Sequence, residues 1–324
     1  MISKEEAVWM EDSREAILRQ LQENRGRFVS GEELAGRLNI SRAAVWKHIR
    51  HLRREGYQIE ALPRRGYLLE EEPDRLDASL LTAEKLFYYT TVDSTNAVLR
   101  RMAEEGAPHE TMVIAEEQRA GRGRRGRRWL SPPGKGLYFS LLLRPAGVAP
   151  EEAAPITLAA AVALAQQLQR ETGLPVRVKW PNDLLVNHRK IGGILTELKG
   201  EPDRVEYLVM GIGINVNQEH SDLEELAGRA SSLYLEKGEK FPRTPLFLGL
   251  RSKLLQGCRQ FFLEGFAPFR LSWRQLNATL GRRVTVSWAG GSQEGLAVDL
   301  DEQGALLLED DRGKRHRFTY GEII

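Results

Sequence analysis

The chain contains one cysteine, Cys258, which excludes an intramolecular disulfide framework and any multi-cysteine zinc site and fits a reducing, cytoplasmic compartment. Histidine is nearly as scarce. The six present are scattered, and no His/Cys/Asp grouping has the spacing of a catalytic metal site. No apolar run approaches the roughly 18 residues of a membrane span. The N-terminus, MISKEEAVWMEDSRE, is charged and lacks the apolar stretch of a signal peptide. Net charge is almost absent, +2 from 47 basic and 45 acidic residues, so contact with nucleic acid must rest on local charge. There is no P-loop consensus, and GIGIN (211–215) lacks the third glycine and strand-to-helix context of a dinucleotide fingerprint. There is no G-x-S-x-G elbow either. An enzyme built from this sequence works by positioning and electrostatics, not through a protein-bound nucleophile.

At 324 residues, 41% apolar and 28% charged, the chain has the length and composition of two or three soluble domains. Its texture changes along its length. Residues 15–24 place Ile17, Leu18 and Leu21 at helical spacing. Ser30 with Glu33 reads as a capping box opening a helix through Leu38, and Ser41 caps a longer helix over 42–54, closed by Gly56. Tyr57–Leu69 then reads as a hairpin with Pro63–Gly66 at its tip. Two helices across a tight turn, followed by a hairpin, form the winged helix-turn-helix pattern. We therefore expect a winged helix-turn-helix domain at 1–70 and an acidic, proline-containing linker at 71–80. A mixed α/β domain should follow at 81–270 and a small β-barrel at 271–324. In the α/β domain, helices at 94–105 and 152–171 alternate with strands at 111–116, 136–143, 176–180, 183–187, 190–198 and 205–216. Four strands, 284–288, 294–300, 305–310 and 316–320, form the last part.

On helix 42–54, Val45, Ile49 and Leu52 fall on one face and should be core. Ala43, Lys47, Arg50 and Arg54 fall on another, with Ser41, Arg42 and Arg53 nearby. Segment 41–65 carries seven Lys/Arg against two Asp/Glu. Small residues at the helix start permit close approach to base edges, the basic ones further along reach phosphates, and Arg64 and Arg65 at the wing tip suit backbone or minor groove. A solvated basic helix face is the plain alternative.

The most unusual stretch is Gln118–Trp129, where three glycines alternate with five arginines over 121–128. Glycine permits close backbone approach to a ligand, and arginine supplies planar, permanently charged donors for phosphate or carboxylate. Alone, the loop reads equally as a nucleic-acid segment or as an anion-binding loop ordering over a phosphorylated ligand. Lys179, at the end of an apolar strand before Trp180-Pro181-Asn182-Asp183, projects from rigid scaffold into a site. There it suits negative charge developing on an α-phosphate during acyl-adenylate formation. A strand-end lysine in solvent is the alternative. Ser94, Thr95 and Asn96 open a helix, so hydroxyls and backbone N–H groups form a polar cradle for a ureido or carboxylate group, although such N-caps are common. The apolar strands around Gly192, Gly193, Gly211, Gly213 and Asn215 are interrupted by glycine, which often marks a ligand lying against backbone.

Taken together, DSTN (93–96), GRGRRGR with its preceding Gln118 and following Trp129, VKWPNDLLV (178–186), KIGGIL (190–195) and GIGINV (211–216) occur in the order of the biotin protein ligases. The head ISRAAVWKHIRHLRREGY (40–57) and wing PRRGYLL (63–69) resemble the bifunctional subgroup, ligase and biotin-operon repressor in one chain. The resemblance covers essentially the whole chain. It implies a biotin/lipoate-ligase-like central domain and a C-terminal SH3-like β-barrel. It also implies a two-step reaction: biotin and Mg2+-ATP form biotinyl-5′-AMP and pyrophosphate, then a lysine on a biotin carboxyl carrier protein accepts the biotin. The carrier belongs to acetyl-CoA carboxylase or another biotin-dependent carboxylase.

By motif position, Ser94, Thr95, Asn96 and Gln118 would hold biotin or its adenylate. Arg122, Gly123 and Arg124 would order around the adenylate, with Arg124 guarding it against release. Lys179 would bind the reacting carboxylate and phosphate oxygens, and Trp129 would pack the loop onto the ligand. The resemblance further implies a homodimer when loaded with biotinyl-5′-AMP, bound to double-stranded operator DNA as a repressor of biotin synthesis and uptake genes. Two residues depart from the pattern: Arg119 stands where an uncharged residue is expected, and His188 where glycine is common. Three other readings compete. A biotin-sensing regulator without ligase activity would lack Lys179 or the loop arginines. A lipoate-type ligase would lack the GRGRRG loop with KWPND. An RNA-binding protein would need stacking platforms around the loop, where only Trp129 is near.

Overall fold

The structure is a computed structural model describing residues 4–324 apart from 55, 73, 82, 227 and 289; the side chains of 4–12 and of Arg54 also lie outside the described residues. The Arg54 side chain, expected on the basic helix face, is therefore among those not described. The chain forms two units, residues 1–74 and 75–324.

The first unit comprises α1 (Lys4–Glu23), α2 (Gly31–Leu38), α3 (Arg42–Arg54), β1 (Gln58–Leu62) and β2 (Gly66–Glu71). The helix starts behave as their capping residues dictate. Ser30 Oγ accepts the Glu33 N–H at 3.0 Å and Ser41 Oγ accepts that of Ala44 at 3.1 Å. Asn39 closes α2 in the left-handed conformation, φ +52. Ile17, Leu21, Leu34, Val45, Ile49, Leu52, Ile59 and Leu69 form a buried core, so the expected apolar stripe of α3 faces inward. Tyr67 pairs with Val29 beside the β1–β2 hairpin, and Gly66 is required there because a Cβ would lie 2.1 Å from the Val29 carbonyl oxygen.

The second unit is built on a seven-stranded sheet. Its strands are β3 (Leu86–Val92), β4 (Met112–Gln118), β5 (Gly136–Leu143), β6 (Arg177–Lys179), β7 (Asp183–Val186), β8 (Arg189–Glu201) and β9 (Arg204–Asn215), ordered β3-β4-β5-β9-β8-β7-β6. Only β3 and β4 are parallel. The helices are α4 (Thr95–Glu104), α5 (Pro150–Ala153), α6 (Ile156–Thr172), α7 (Leu233–Lys237), α8 (Arg243–Glu264) and α9 (Ala267–Leu276). Strand alternation sorts the side chains. Met112 and Ile114 of β4 and Leu208, Met210, Ile212 and Ile214 of β9 share a core with α6, α8 and α9. Val113, Ala115, Tyr207 and Val209 point the other way, into a smaller core with Val98, Leu99 and Ala103 of α4. On β9 that second face continues as Gly211 and Gly213. Apolar packing stops there, and a cavity opens.

The C-terminal strands are β10 (Arg283–Trp288), β11 (Gly291–Leu300), β12 (Leu306–Glu309), β13 (Arg315–Phe318) and β14 (Glu322–Ile323). They form an antiparallel sheet ordered β13-β12-β11-β10-β14 where the small barrel is expected. Val286, Ala297, Leu300, Leu306, Leu308 and Ile323 belong to the same core as the central sheet.

Several expectations need correction. The boundary at 270/271 falls inside α9, whose Phe269 and Trp273 are both buried in the central core. Residues 76–80 are not all linker. Leu76 is buried, its N–H donates to Glu116, and the Asp77 N–H donates to Thr244 Oγ1 at 2.8 Å. Strand β3 and helix α8 carry no assignment from sequence. The Asn187–His188 turn has both φ values positive, +47 and +65, which explains why glycine suits position 188.

Arg243, at the start of α8, is completely buried. It meets Glu116 at 2.9 Å and donates to the Gly136 carbonyl at 3.0 Å. Replacing it with methionine leaves the Glu116 carboxylate in the interior without its cation. Arg243→Met should therefore destabilise the second unit by about 3–5 kcal/mol in denaturant titration, whereas substitution of an exposed arginine such as Arg283 should leave the unfolding midpoint nearly unchanged.

Candidate functional sites

The first turn of α4 supplies the polar end of the cavity. Ser94 makes no side-chain capping bond, so its buried hydroxyl is not spent on the helix. Thr95 is engaged: both its N–H (2.9 Å) and its hydroxyl (3.1 Å) donate to Gln118 Oε1, which therefore takes one of the helix N–H groups expected to point at a ligand. Gln118 Nε2 donates in turn to Ser131 Oγ at 2.9 Å, which fixes the amide orientation. Asn96 Oδ1 lies 2.6 Å from the Ser140 hydroxyl, and Asn96 Nδ2 donates to Glu197 at 2.7 Å. Gly211 makes room for this side chain, since a Cβ there would stand 2.3 Å from Asn96 Oδ1.

Two residues along β9, about 7 Å at strand rise, a Cβ on Gly213 would strike the Trp129 ring at 2.4 Å, and one on Gly193 would approach that ring and Lys190. The indole therefore lies on bare backbone, with Lys190 Nζ 5.5 Å from its ring centroid. The Trp129 Nε1–H is buried and has no hydrogen-bond partner among the described residues. Gly192 differs from its neighbour. It pairs with Ile214, and a Cβ there would meet Leu184 and the Gly213 carbonyl, so it faces the core and does not line the cavity. The two-residue period of β8 puts only one glycine of the pair at the site.

The arginine loop closes on itself: the Trp129 N–H donates to the Gly121 carbonyl and the Gly123 N–H to that of Arg127. Its side chains reach the end of the chain. Arg124 donates to Asn182 Oδ1 (3.2 Å) and to the Gly321 carbonyl (2.7 Å), Arg125 donates to the Ser287 carbonyl (2.8 Å), and Arg127 pairs with Glu322. Lys179 joins them, its Nζ donating to the Ile323 carbonyl at 3.1 Å. Burial pulls the Lys179 ammonium below the usual lysine range; Asp183 opposes the shift, while Lys190 and Arg127 add to it. Burial likewise lowers Arg124. Asp183 is committed to Lys190 at 2.6 Å. No carboxylate pairs with Lys179 among the described residues, so this end of the cavity holds half-buried cations short of negative charge.

The cavity measures about 730 Å³, within the range of small-molecule sites. Ser94, Thr95, Asn96, Gln118, Arg122, Gly123, Arg124, Trp129, Lys179, Gly193, Gly211, Gly213 and Asn215 all line it. Sequence reasoning left Asn182, Asp183 and Lys190 unassigned, although they stand within the quoted motifs, and gave no signal for Ser131, Ser140 or Gly321–Ile323. A polar cradle, an apolar strand floor and a cationic far end are arranged to take a ligand with a polar head, an apolar stem and a phosphate.

Three family models match separate stretches of the chain. Residues 88–215 match the biotin/lipoate A/B protein ligase family, residues 13–68 an HTH domain, and residues 279–324 the biotin protein ligase C-terminal domain. The bifunctional ligase/repressor BirA of Bacillus subtilis is 38% identical over 295 residues, 88% of this chain and 90% of that protein. The chain belongs to the bifunctional ligase/repressor group of the biotin protein ligase family. The Escherichia coli K12 bifunctional ligase/repressor BirA is 36% identical over 290 residues, 88% of this chain and 89% of its own. The structure of biotin protein ligase from Aquifex aeolicus in complex with biotin and ATP covers 75% of this chain and 98% of that one, with a TM-score of 0.65 at 31% identity.

In this family member the N-terminal unit presents a second candidate surface. Ser41 capping α3, Arg42, Ala43, Lys47 and Arg50 on it, and Arg64 and Arg65 at the wing tip are all exposed. Arg64 has φ +66, which helps turn the hairpin tip. Arg37 and Arg53 are occupied elsewhere, by Glu33 and by the Ile59 carbonyl. Arg42, Arg50, Arg64 and Arg65 have no carboxylate partner among the described residues.

Proposed function

We propose that the chain activates biotin with ATP and transfers it to a lysine of a biotin carboxyl carrier protein, and that its N-terminal unit binds operator DNA as a repressor. The observation that carries the ligase reading is the convergence of the Ser94–Asn96 cradle, Trp129, Lys179 and the arginine loop on one cavity.

In the first step a biotin carboxylate oxygen attacks the α-phosphorus of ATP, forming the mixed anhydride biotinyl-5′-AMP as pyrophosphate leaves. Lys179 and Arg124 answer the charge gathering on the phosphate oxygens; half-buried and already held by hydrogen bonds, they need little reorganisation, and Arg122 lines the same cavity from its exposed side. The cradle and Gln118 hold the ureido head, and the apolar strand floor with Trp129 takes the stem. Mg2+ travels with ATP. The cavity's carboxylates, Asp183 and Glu322, already pair with Lys190 and Arg127, so phosphate oxygens and water would ligate the ion. In the second step the carrier lysine, as a neutral amine, attacks the acyl carbon. AMP leaves, the amine proton is lost, and an amide remains.

A homodimer formed on loading with biotinyl-5′-AMP, acting in the cytoplasm, completes the reading. A regulator that only senses biotin has no use for Lys179 and the loop arginines at the cationic end. Incubating the chain with ATP, Mg2+, biotin and a carrier domain should yield a streptavidin-reactive carrier. Absence of that band, with Lys179→Ala indistinguishable from the parent, refutes the ligase. A gel shift on a biotin-operon promoter should strengthen when biotin and ATP are added together and vanish on deletion of residues 1–70. A shift that survives the deletion refutes the role of the head.

A further inference from the structure

Helix α3 carries one residue that neither its core nor its charge explains. Val45, Ile49 and Leu52 are buried on one side, while Trp46 is 53% exposed among Arg42, Lys47 and Arg50. It is the one large apolar side chain standing exposed among the described residues of the first unit. Leaving an indole in water forgoes burial that the fold could have used.

The position of Arg50 bears on why it is there. Its guanidinium lies 4.6 Å from the centroid of the Trp46 ring, one helical turn back. Long helical side chains lean toward the N-terminus, so the charge sits over the half of α3 that would enter a groove first. The same device recurs at the wing, where Arg65 lies 4.4 Å over the Phe28 ring. A carboxylate partner would occupy the in-plane N–H groups of a guanidinium. An aromatic face holds the cation from above and leaves that donor edge open. An arginine so held is pre-aimed for the paired acceptors N7 and O6 of guanine, and the apolar feature that the major groove offers an indole is the thymine methyl group.

We infer that Trp46 and Arg50 act as one base-reading unit in the major groove, with Arg50 on a guanine and Trp46 on the methyl group of a neighbouring thymine. This rests on the DNA-binding reading above. It moves Arg50 from a phosphate contact to a sequence contact and adds a specificity residue, Trp46.

The test uses the full chain with biotin, ATP and Mg2+ present throughout. A duplex enriched from a randomised library is remade with deoxyuridine at each thymine in turn, which removes only the methyl group, and with 7-deazaguanine at each guanine, which removes N7. Affinities are compared at one ionic strength. One thymine per half-site should weaken binding roughly three- to fivefold when its methyl is removed, and the guanine beside it by about tenfold when N7 is removed. Trp46→Ala should abolish the methyl effect while keeping its melting temperature, Trp46→Phe should keep part of it, and Arg50→Ala should abolish the N7 effect. A duplex that tolerates every uracil, or a Trp46→Ala protein as methyl-sensitive as the parent, overturns the inference alone. A library yielding no enriched sequence overturns the DNA-binding reading and this inference with it.

Discussion

Lys179→Ala should lower the rate of adenylate formation by about 10²–10³-fold, the loss expected when a pre-positioned charge is removed from a developing anion. Biotin affinity, measured without ATP, should change little, because the cradle at α4 and the strand floor are untouched. Stability should not fall either, since the side chain is half-buried and its hydrogen bond is to the Ile323 carbonyl. Pyrophosphate release in a single turnover, read beside a melting curve, separates the two effects. A variant that melts normally yet forms the adenylate at the parent rate removes Lys179 from the chemistry. Burial sets the pH dependence. With its pKa pulled below the ordinary lysine range, the ammonium is lost earlier as pH rises. The adenylation rate should therefore decline on the alkaline side before an ordinary lysine would titrate, and that decline should be missing from the alanine variant.

The second large effect is expected from a single methyl group. Gly211→Ala places a Cβ 2.3 Å from Asn96 Oδ1, too close for either group to stay. Asn96 is the side chain that must move, giving up its contact with Ser140 and its bond to Glu197. At about 1–3 kcal/mol for polar groups left unsatisfied in the interior, biotin affinity should drop ten- to hundredfold and the melting temperature should fall. Gly192→Ala is the internal comparison. Its Cβ meets core atoms at 3.1 Å and beyond and is not aimed into the cavity, so it should affect stability with little change in biotin affinity. Calorimetric titration of both variants with biotin decides the matter; equal losses of affinity would mean that the glycine faces are not distinguished as the sheet register requires.

Much of this molecule could be read from local pattern. The capping serines at 30 and 41 and the apolar positions 45, 49 and 52 define helices whose ends and buried faces depend on neighbours three or four residues away. The same holds for β5 and β9, whose bounds the apolar runs place within a residue or so. Glycines 193, 211 and 213 were legible as points where something approaches backbone, because an interrupted strand pattern is itself a local signal.

What approaches them was not legible. That Asn96 fills the space at Gly211 and Trp129 the space at Gly213 depends on residues brought together across 84 to 115 positions of sequence by the sheet order β4-β5-β9. Gly192 was grouped with Gly193 because spacing alone does not say which face of a strand looks at the core.

The arginine loop shows the same limit most clearly. Its composition established a demand for anions. Only the tertiary structure decided that Arg124, Arg125, Arg127 and Lys179 are held meanwhile by Asn182 and by Ser287 and Gly321–Ile323 near the chain end. The carbonyls of Ser287, Gly321 and Ile323 carry no residue-type signature, and Asn182 and Glu322 meet their arginines only across long stretches of chain, so no local pattern named them. Trp46 is a second case. Periodicity already sets this tryptophan off the apolar stripe of Val45, Ile49 and Leu52, but only the fold shows that its exposed ring lies under the Arg50 guanidinium. Periodicity, capping and motif order therefore determined the elements, the family resemblance and the chemistry the site needs. Packing across the sheet decided which side chains share a face and which cations still lack a partner.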